Sequence, residues 1–233
     1  MKRLKILIDA RWYGLEQRGI GRYTKELVDG LVSYQNIFDI YLIVSKHNSN
    51  LIPHSFKKIV AKSRWYTLFE QIEISYIIGK VRPDYFHAVH INVPLFCPVP
   101  YILTVHDLQL LNIPDQRATT LPKPIFKIKT LLARLLVKHA LNHAEKIIAV
   151  SNFTASEIIK VNSKLKSIIS VIWEGVTALS LKNFRPNLLR SLKISKKYFV
   201  YCGSAYPHKN LELLITAFTD FNISDGNKFQ LVL

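Results

Sequence analysis

The chain has 233 residues, with 32 Lys and Arg against 16 Asp and Glu, for a formal charge of +16. A hydrophobic fraction of 49% excludes intrinsic disorder and collagen-like or low-complexity character. Two widely separated cysteines, Cys97 and Cys202, exclude a zinc ribbon or a disulfide framework; both read as core residues in a reducing compartment. The opening Lys2-Arg3 is followed by only Ile6-Leu7-Ile8 before Asp9, too short for a signal h-region of ~7–15 residues. No run approaches the ~18 apolar residues of a membrane span. These features predict a cytoplasmic protein, soluble or peripheral on a membrane. Its charge calls for an anionic partner: nucleic acid, a phosphate-bearing small molecule or acidic lipid.

Apolar strand-like runs alternate with helical patterns. Leu4–Ile8 predicts a strand, Tyr23–Val32 a helix and Asp39–Val44 a second strand. Tyr66–Ile78 carries Leu68, Phe69, Ile72 and Ile77 at helical spacing, and Pro83-Asp84 ends it. Strands follow at Tyr85–Val89 and Tyr101–Val105, then a long helix at Ile125–Leu141. Lys146–Val150 predicts a strand, Thr154–Val161 a helix and Ile168–Trp173 a strand. This alternation implies a doubly wound, Rossmann-like parallel α/β sheet. Strands without clean in–out alternation fit a sheet buried on both faces.

After Trp173 the apolar periodicity lapses, and residues 174–197 read as a linker. Tyr198–Cys202, Leu211–Phe221 and Phe229–Leu233 then predict a fresh strand, helix and strand. A β–α–β piece of ~35 residues cannot bury its own sheet. The expectation is one domain over 1–173 and the truncated start of a second over 198–233.

Ligands of open α/β sheets bind beyond the carboxyl ends of the strands. Asp9 stands there, followed by Gly19-Ile20-Gly21-Arg22, and so do His87, His90, His106-Asp107, Ser151-Asn152 and Gly203-Ser204. Gly19 and Gly21 precede a predicted helix, whose free N–H groups attract phosphate; a plain tight turn is the competing reading. A nicotinamide fingerprint is incomplete, because Thr24 stands where a third glycine belongs, and no Walker A loop is present. His106 ends a hydrophobic strand, where it can transfer a proton, bond a sugar or phosphate, or simply satisfy a buried carbonyl. Lys209, in Pro207-His208-Lys209-Asn210, opens a predicted helix as a phosphate-binding cation would, or is an ordinary solvated lysine. His139 and His143 are one turn apart without a third ligand, so no metal site is predicted. Lys123, Lys127, Arg134 and Lys138 are spaced to form one helical stripe, with Ile128, Leu131, Leu132, Leu135 and Leu136 on another face. Either that apolar face packs on the sheet and the stripe is solvated, or the stripe meets anionic lipid.

Five stretches in order resemble the retaining family-4 glycosyltransferases of GT-B architecture. They are Ile8–Arg11 through Gly19–Thr24; Pro83–His87 with Val93-Pro94-Leu95; Pro100–Leu108; Ile147–Thr154; and Gly203–Leu211. The resemblance implies transfer of a hexose, mannose or a deoxyhexose at family level, from a nucleotide-sugar to a glycan or lipid-linked acceptor, in cell-envelope polysaccharide synthesis. It implies no metal and no further cofactor. Carried over, Gly19 and Gly21 lie beside the donor diphosphate, with Gly203, Ser204 and Lys209 as further donor contacts. His106 meets the transferred sugar, and Lys209 neutralises the leaving diphosphate. His87, His90, Asp107 and Ser151 are acceptor-side candidates, and Lys123, Lys127, Arg134 and Lys138 are membrane-surface candidates. Three departures stand out. Ser204 or His208 replaces an Arg common in relatives. Glu174-Gly175-Val176 stands for Asn-Gly-Val. The paired glutamates of the family's second domain would fall beyond Leu233. A basic nucleic-acid-binding protein and a sugar-nucleotide epimerase are the alternatives. No nucleic-acid motif supports the first, and no acid pair suited to proton abstraction supports the second.

Overall fold

The computed structural model describes residues 3–112, 122–176 and 187–233. Contacts divide the chain into two units, Met1–Pro114 with Lys127–Gly175, and Asp115–Phe126 with Val176–Leu233.

The first unit is built on a seven-stranded sheet in which every pairing is parallel. The strands are β1 (Leu4–Asp9), β2 (Phe38–Ser45), β3 (Lys57–Ala61), β4 (Tyr85–Ala88), β5 (Tyr101–Val105), β6 (Lys146–Ala149) and β7 (Ile169–Val171). Their order is β3-β2-β1-β4-β5-β6-β7. The chain winds outward from β1 to β3, returns to β4 at the other side of β1, and winds outward again. The reversal between β1 and β4 is the switch point where such sheets open a crevice. Helix α1 (Arg18–Gly30) contributes to one apolar cluster with Ile8, Leu42 and Val44. Helices α2 (Leu68–Val81), α4 (Lys123–Asn142) and α5 (Asn152–Val161) contribute to the other, around Leu7, Phe86, Leu103 and Ile147. Consecutive residues Leu7 and Ile8 thus sit in different clusters, which is why β1 is apolar without alternation. A short α3 (Gln109–Asn112) follows β5.

Local chemistry sets the helix ends. The Thr67 hydroxyl accepts from the Glu70 N–H at the start of α2, and Ser151 does the same for the Thr154 N–H at the start of α5. Arg82 closes α2 in the left-handed conformation. The Asp84 carboxylate then accepts from the Lys5 N–H at 2.7 Å, which fixes the approach of β4 to β1.

The structure corrects the sequence reading in four places. Strand β3 had no signal of its own, because it is short, lies at the sheet edge and opens with Lys57-Lys58. Helix α1 begins at Arg18, so Gly19 and Gly21 lie in its first turn rather than ahead of it. On α2 the buried side chains are Glu70, Ile74, Ile77 and Ile78, whereas Leu68, Phe69 and Ile72 face outward. Both faces of that helix are apolar, so periodicity could not choose between them, and the inner face contains a buried carboxylate. On α4 the inward residues are Val137, Ala140 and Leu141, and the predicted apolar face is exposed.

The second unit contains α6 (Leu188–Ser191), β8 (Lys197–Val200), α7 (Leu211–Ser224) and β9 (Phe229–Val232), with β8 and β9 paired in parallel. No residue of α7 is buried, in keeping with a two-stranded sheet too small to cover its helix. Phe199 packs at 5.6–6.1 Å from the rings of Phe218, Phe221 and Phe229, which form the unit's small apolar centre. Cys202 is exposed rather than a core residue, and Cys97 is half-buried.

Candidate active site at the carboxyl edge of the sheet

His106 follows directly on β5 and is the centre of the polar edge. Its Nε2 lies 3.0 Å from the Val89 carbonyl and its Nδ1 lies 2.8 Å from Glu174 Oε1. The Val89 carbonyl and the Glu174 carboxylate thus hold the ring from its two nitrogens. The Tyr23 ring meets the imidazole edge-on at 4.8 Å. The His106 carbonyl accepts from the Thr154 hydroxyl, which ties the β5 end to the start of α5. His106 is 15% exposed at the side chain and Glu174 45%, so Glu174 is the partner that can leave. Sequence reasoning marked Glu174 only as a departure from the family pattern and missed it as a partner. Sixty-eight residues separate the two, and only the parallel placement of β5, β6 and β7 brings them together.

The other expected site residues divide between exposed and structural positions. His87 is buried at 7% exposure, and its Nε2 pairs with the Thr104 hydroxyl at 2.9 Å. Burial pushes its pKa down to about 4, so it is a neutral core histidine rather than an acceptor contact. Thr104 in turn contacts the Tyr23 hydroxyl at 3.1 Å, so this chain of bonds reaches the ring beside His106. His90 is also pushed down to about 4, first by burial and then by its neighbour His106. It faces the Trp12 ring at 5.5 Å, and its Nδ1 is buried without a hydrogen-bond partner among the described residues. Asp107 is exposed and caps the turn into α3 by accepting from the Gln109 N–H. Ser151 is occupied as the α5 cap and also donates to Thr154.

A buried ion cluster underlies this edge. Arg11 directs Nε and Nη2 to the Asp9 carboxylate at 2.8 and 2.7 Å, and Nη1 to Glu70 at 2.8 Å. Arg11, Asp9 and Glu70 are 4%, 5% and 2% exposed. Burial alone would lower the guanidinium pKa, but the two carboxylates more than offset it and raise it. Asn92 donates to Glu70, and the Arg11 guanidinium lies over the Trp65 ring, which stacks on Trp12. The cluster locks the loop after β1 to the start of α2 and to the loop after β4. No spacing rule foretells it, because its members come from three separate segments.

Gly19 has open space where a Cβ would stand, and Gly21 is buried at the base of α1. In the second unit, a Cβ on Gly203 would meet the Tyr201 hydroxyl at 2.7 Å. That hydroxyl donates to the Ser204 carbonyl, so the phenol folds over the strand end and would have to shift to admit a Cβ at Gly203. Lys209 is exposed at the end of a single 3-10 turn, Pro207–Lys209, just ahead of α7. Asn210 at φ 51° links that turn to the helix. His139 and His143 stack at 4.0 Å and bond to the Leu95 and His139 carbonyls. Among the described residues no group of three or more His, Cys, Asp or Glu could hold a metal ion. A surface groove lined by Arg3, Lys5, Asp39, Arg82 and Asp84 lies at the opposite, amino edge of the sheet, away from His106.

A doubly wound parallel sheet with its polar groups gathered at the carboxyl edge, followed by a second β–α–β unit, defines a Rossmann-like protein of the GT-B class. A glycosyltransferase from Rickettsia africae ESF-5 is similar, with a TM-score of 0.52 at 17% identity, over 99% of this chain and 68% of that one. So is a UDP-N-acetylglucosamine 2-epimerase, at 0.54 and 14% identity, over 99% of this chain and 63% of that one. The S. aureus MnaA–UDP complex aligns at 0.50 and 15% identity, over 99% and 62%. The chain therefore spans about two thirds of the length of these structures. Residues 17–178 match Glycosyltransferase Family 4, and the chain belongs to that family. No curated protein matches it.

Proposed function

We propose that the protein transfers a hexose, mannose or a deoxyhexose, from a nucleotide-sugar to a glycan or lipid-linked acceptor with retention, in cell-envelope polysaccharide synthesis at the cytoplasmic face of the membrane. Residues 1–173 serve as the acceptor-side domain, 174–197 as the linker, and 198–233 as the opening of the donor domain. The observation that carries the reading is His106 at the end of β5, held by the Val89 carbonyl and Glu174 inside the segment that matches the family. In the reaction, the bond from the anomeric carbon to the diphosphate oxygen breaks, the acceptor oxygen takes its place on the same face, and the acceptor hydroxyl's proton passes to the departing diphosphate. The 45% exposed Glu174 releases Nδ1 when the donor enters, while Nε2 stays on Val89 and keeps the ring in place. The freed Nδ1 then bonds a hydroxyl of the transferred sugar. Gly19 and Gly21 let the diphosphate approach the first turn of α1, whose N–H groups favour negative charge. In the second unit Gly203, Ser204 and Lys209 supply donor contacts, and the Lys209 ammonium takes the place of a metal as charge builds on the leaving group. His90 and Asp107 remain acceptor-side candidates by their place at the edge; His87 and Ser151 act in support.

The test is a panel of nucleotide-sugars and lipid-linked acceptors incubated with the intact enzyme, with the anomeric configuration of the product read by NMR. Retained transfer supports the reading. The likeness in fold to an epimerase favours one second reading: a donor sugar returned epimerised, with no transfer, would establish that reading instead.

A further inference from the structure

Two helices of the first unit turn apolar side chains outward. On α4, Ile128, Leu131, Leu132, Leu135 and Leu136 are 41–60% exposed, while Val137, Ala140 and Leu141 on the opposite side are buried. On α2, Leu68, Phe69, Ile72 and Tyr76 are 57–86% exposed. The loop between β4 and β5 joins them. The Leu95 N–H donates to Gln71 of α2 and its carbonyl pairs with His139 of α4. Phe96, 84% exposed, accepts at its carbonyl from Ser75 of α2. These bonds make the two helices and the loop one continuous surface. Exposed large apolar side chains gathered in this way mark a contact surface rather than chance exposure.

The charges around this surface select its occupant. Helix α4 contains no acidic residue over Lys123–Asn142. Lys127 and Lys138 flank its apolar stripe on one side and Lys129 on the other, and all three are exposed. Arg134 leaves the predicted stripe, because its guanidinium turns to the Leu111 carbonyl at 2.9 Å. A second copy of the chain paired about a two-fold axis through α4 would set lysine against lysine with no acidic partner on that helix. An apolar face rimmed by lysines is the composition of a helix that lies in a membrane interface. Among the described residues no helix is long and apolar enough to cross a membrane.

We propose that the α2–α4 face docks on an anionic lipid surface, with its apolar side chains at the headgroup–acyl boundary and Lys127, Lys129 and Lys138 against lipid phosphates. This differs from attachment by a basic stripe alone, since the apolar residues enter the interface and part of the binding survives added salt. The proposal stands apart from the transfer reaction, because docking requires neither donor nor acceptor.

Flotation of the whole chain with vesicles of phosphatidylcholine alone, or with added phosphatidylglycerol, tests it. Wild type should bind the acidic vesicles at least tenfold more tightly. Changing Lys127, Lys129 and Lys138 together to Gln should cost about fivefold per lysine. Ile72→Ser with Leu131→Ser and Leu135→Ser should remove the salt-resistant part, as should Phe96→Ser alone, a loop change that leaves both helices intact. Circular dichroism establishes that each variant is folded. Equal binding to both vesicles, no binding, or wild-type binding by the folded Ser variants would overturn the proposal. So would a dimer in solution that the same Ser variants split, which would give the face to a second copy.

Discussion

Acidification will destabilise the first unit, and His87 contributes a part that can be isolated. Burial holds its folded pKa at about 4, against an ordinary value of 6.5. Between those two values the unfolded chain binds a proton that the folded chain does not. Stability therefore rises with pH across this window, is fully present above 6.5, and is lost as pH falls toward 4. One proton is worth ~1.4 kcal/mol per pH unit, so the whole window amounts to about 3 kcal/mol. That is a large part of the ~5–15 kcal/mol that holds a domain together. His90 has the same sign, so the wild-type profile alone does not separate the two. His87→Gln removes the titration and keeps a polar partner for Thr104. Urea unfolding from about pH 7 to about pH 4.5 should show the wild type losing stability ~1.4 kcal/mol per pH unit more steeply than the variant. Parallel profiles would refute a neutral, buried His87.

Arg11→Ala leaves the buried Asp9 and Glu70 carboxylates without their cation, and chemical denaturation should register a loss of about 3–5 kcal/mol. A loss below about 1 kcal/mol would mean that water or another group replaces the guanidinium. Lys209→Ala should weaken nucleoside diphosphate binding by about tenfold to a hundredfold, with Lys209→Arg partly restoring it; calorimetry giving equal affinities would remove the phosphate role. Limited proteolysis should cut first between residues 174 and 197, where apolar periodicity lapses. First cleavage inside 101–150 would contradict that boundary.

What the sequence made legible was whatever short-range pattern encodes. Apolar runs such as Tyr101–Val105 and Ile147-Ile148 mark strands of the sheet interior, and the residues just after them fall at its carboxyl edge. Pattern failed where tertiary neighbours decide. Leu68, Phe69 and Ile72 have the spacing of a core face, yet Glu70 is the residue drawn inward, because Arg11 awaits it. Strand β3 is an edge strand whose two opening lysines conceal it. Glu174 and His106 lie on different strand ends, and their pairing follows only from the parallel order β5-β6-β7. Ser151 and His87 stand where ligand residues stand but are consumed by a helix cap and by Thr104, a distinction set by hydrogen-bond accounting in three dimensions.

The proposed role of His106 is contact with the transferred sugar. It is tested most directly by transfer kinetics of His106→Ala in the intact enzyme, beside donor affinity measured by calorimetry. Loss of a contact made in the transition state predicts that kcat and kcat/KM fall together, by about a hundredfold or more, while nucleotide affinity stays within about twofold. An unchanged kcat, or a loss confined to donor binding, would make His106 a structural residue.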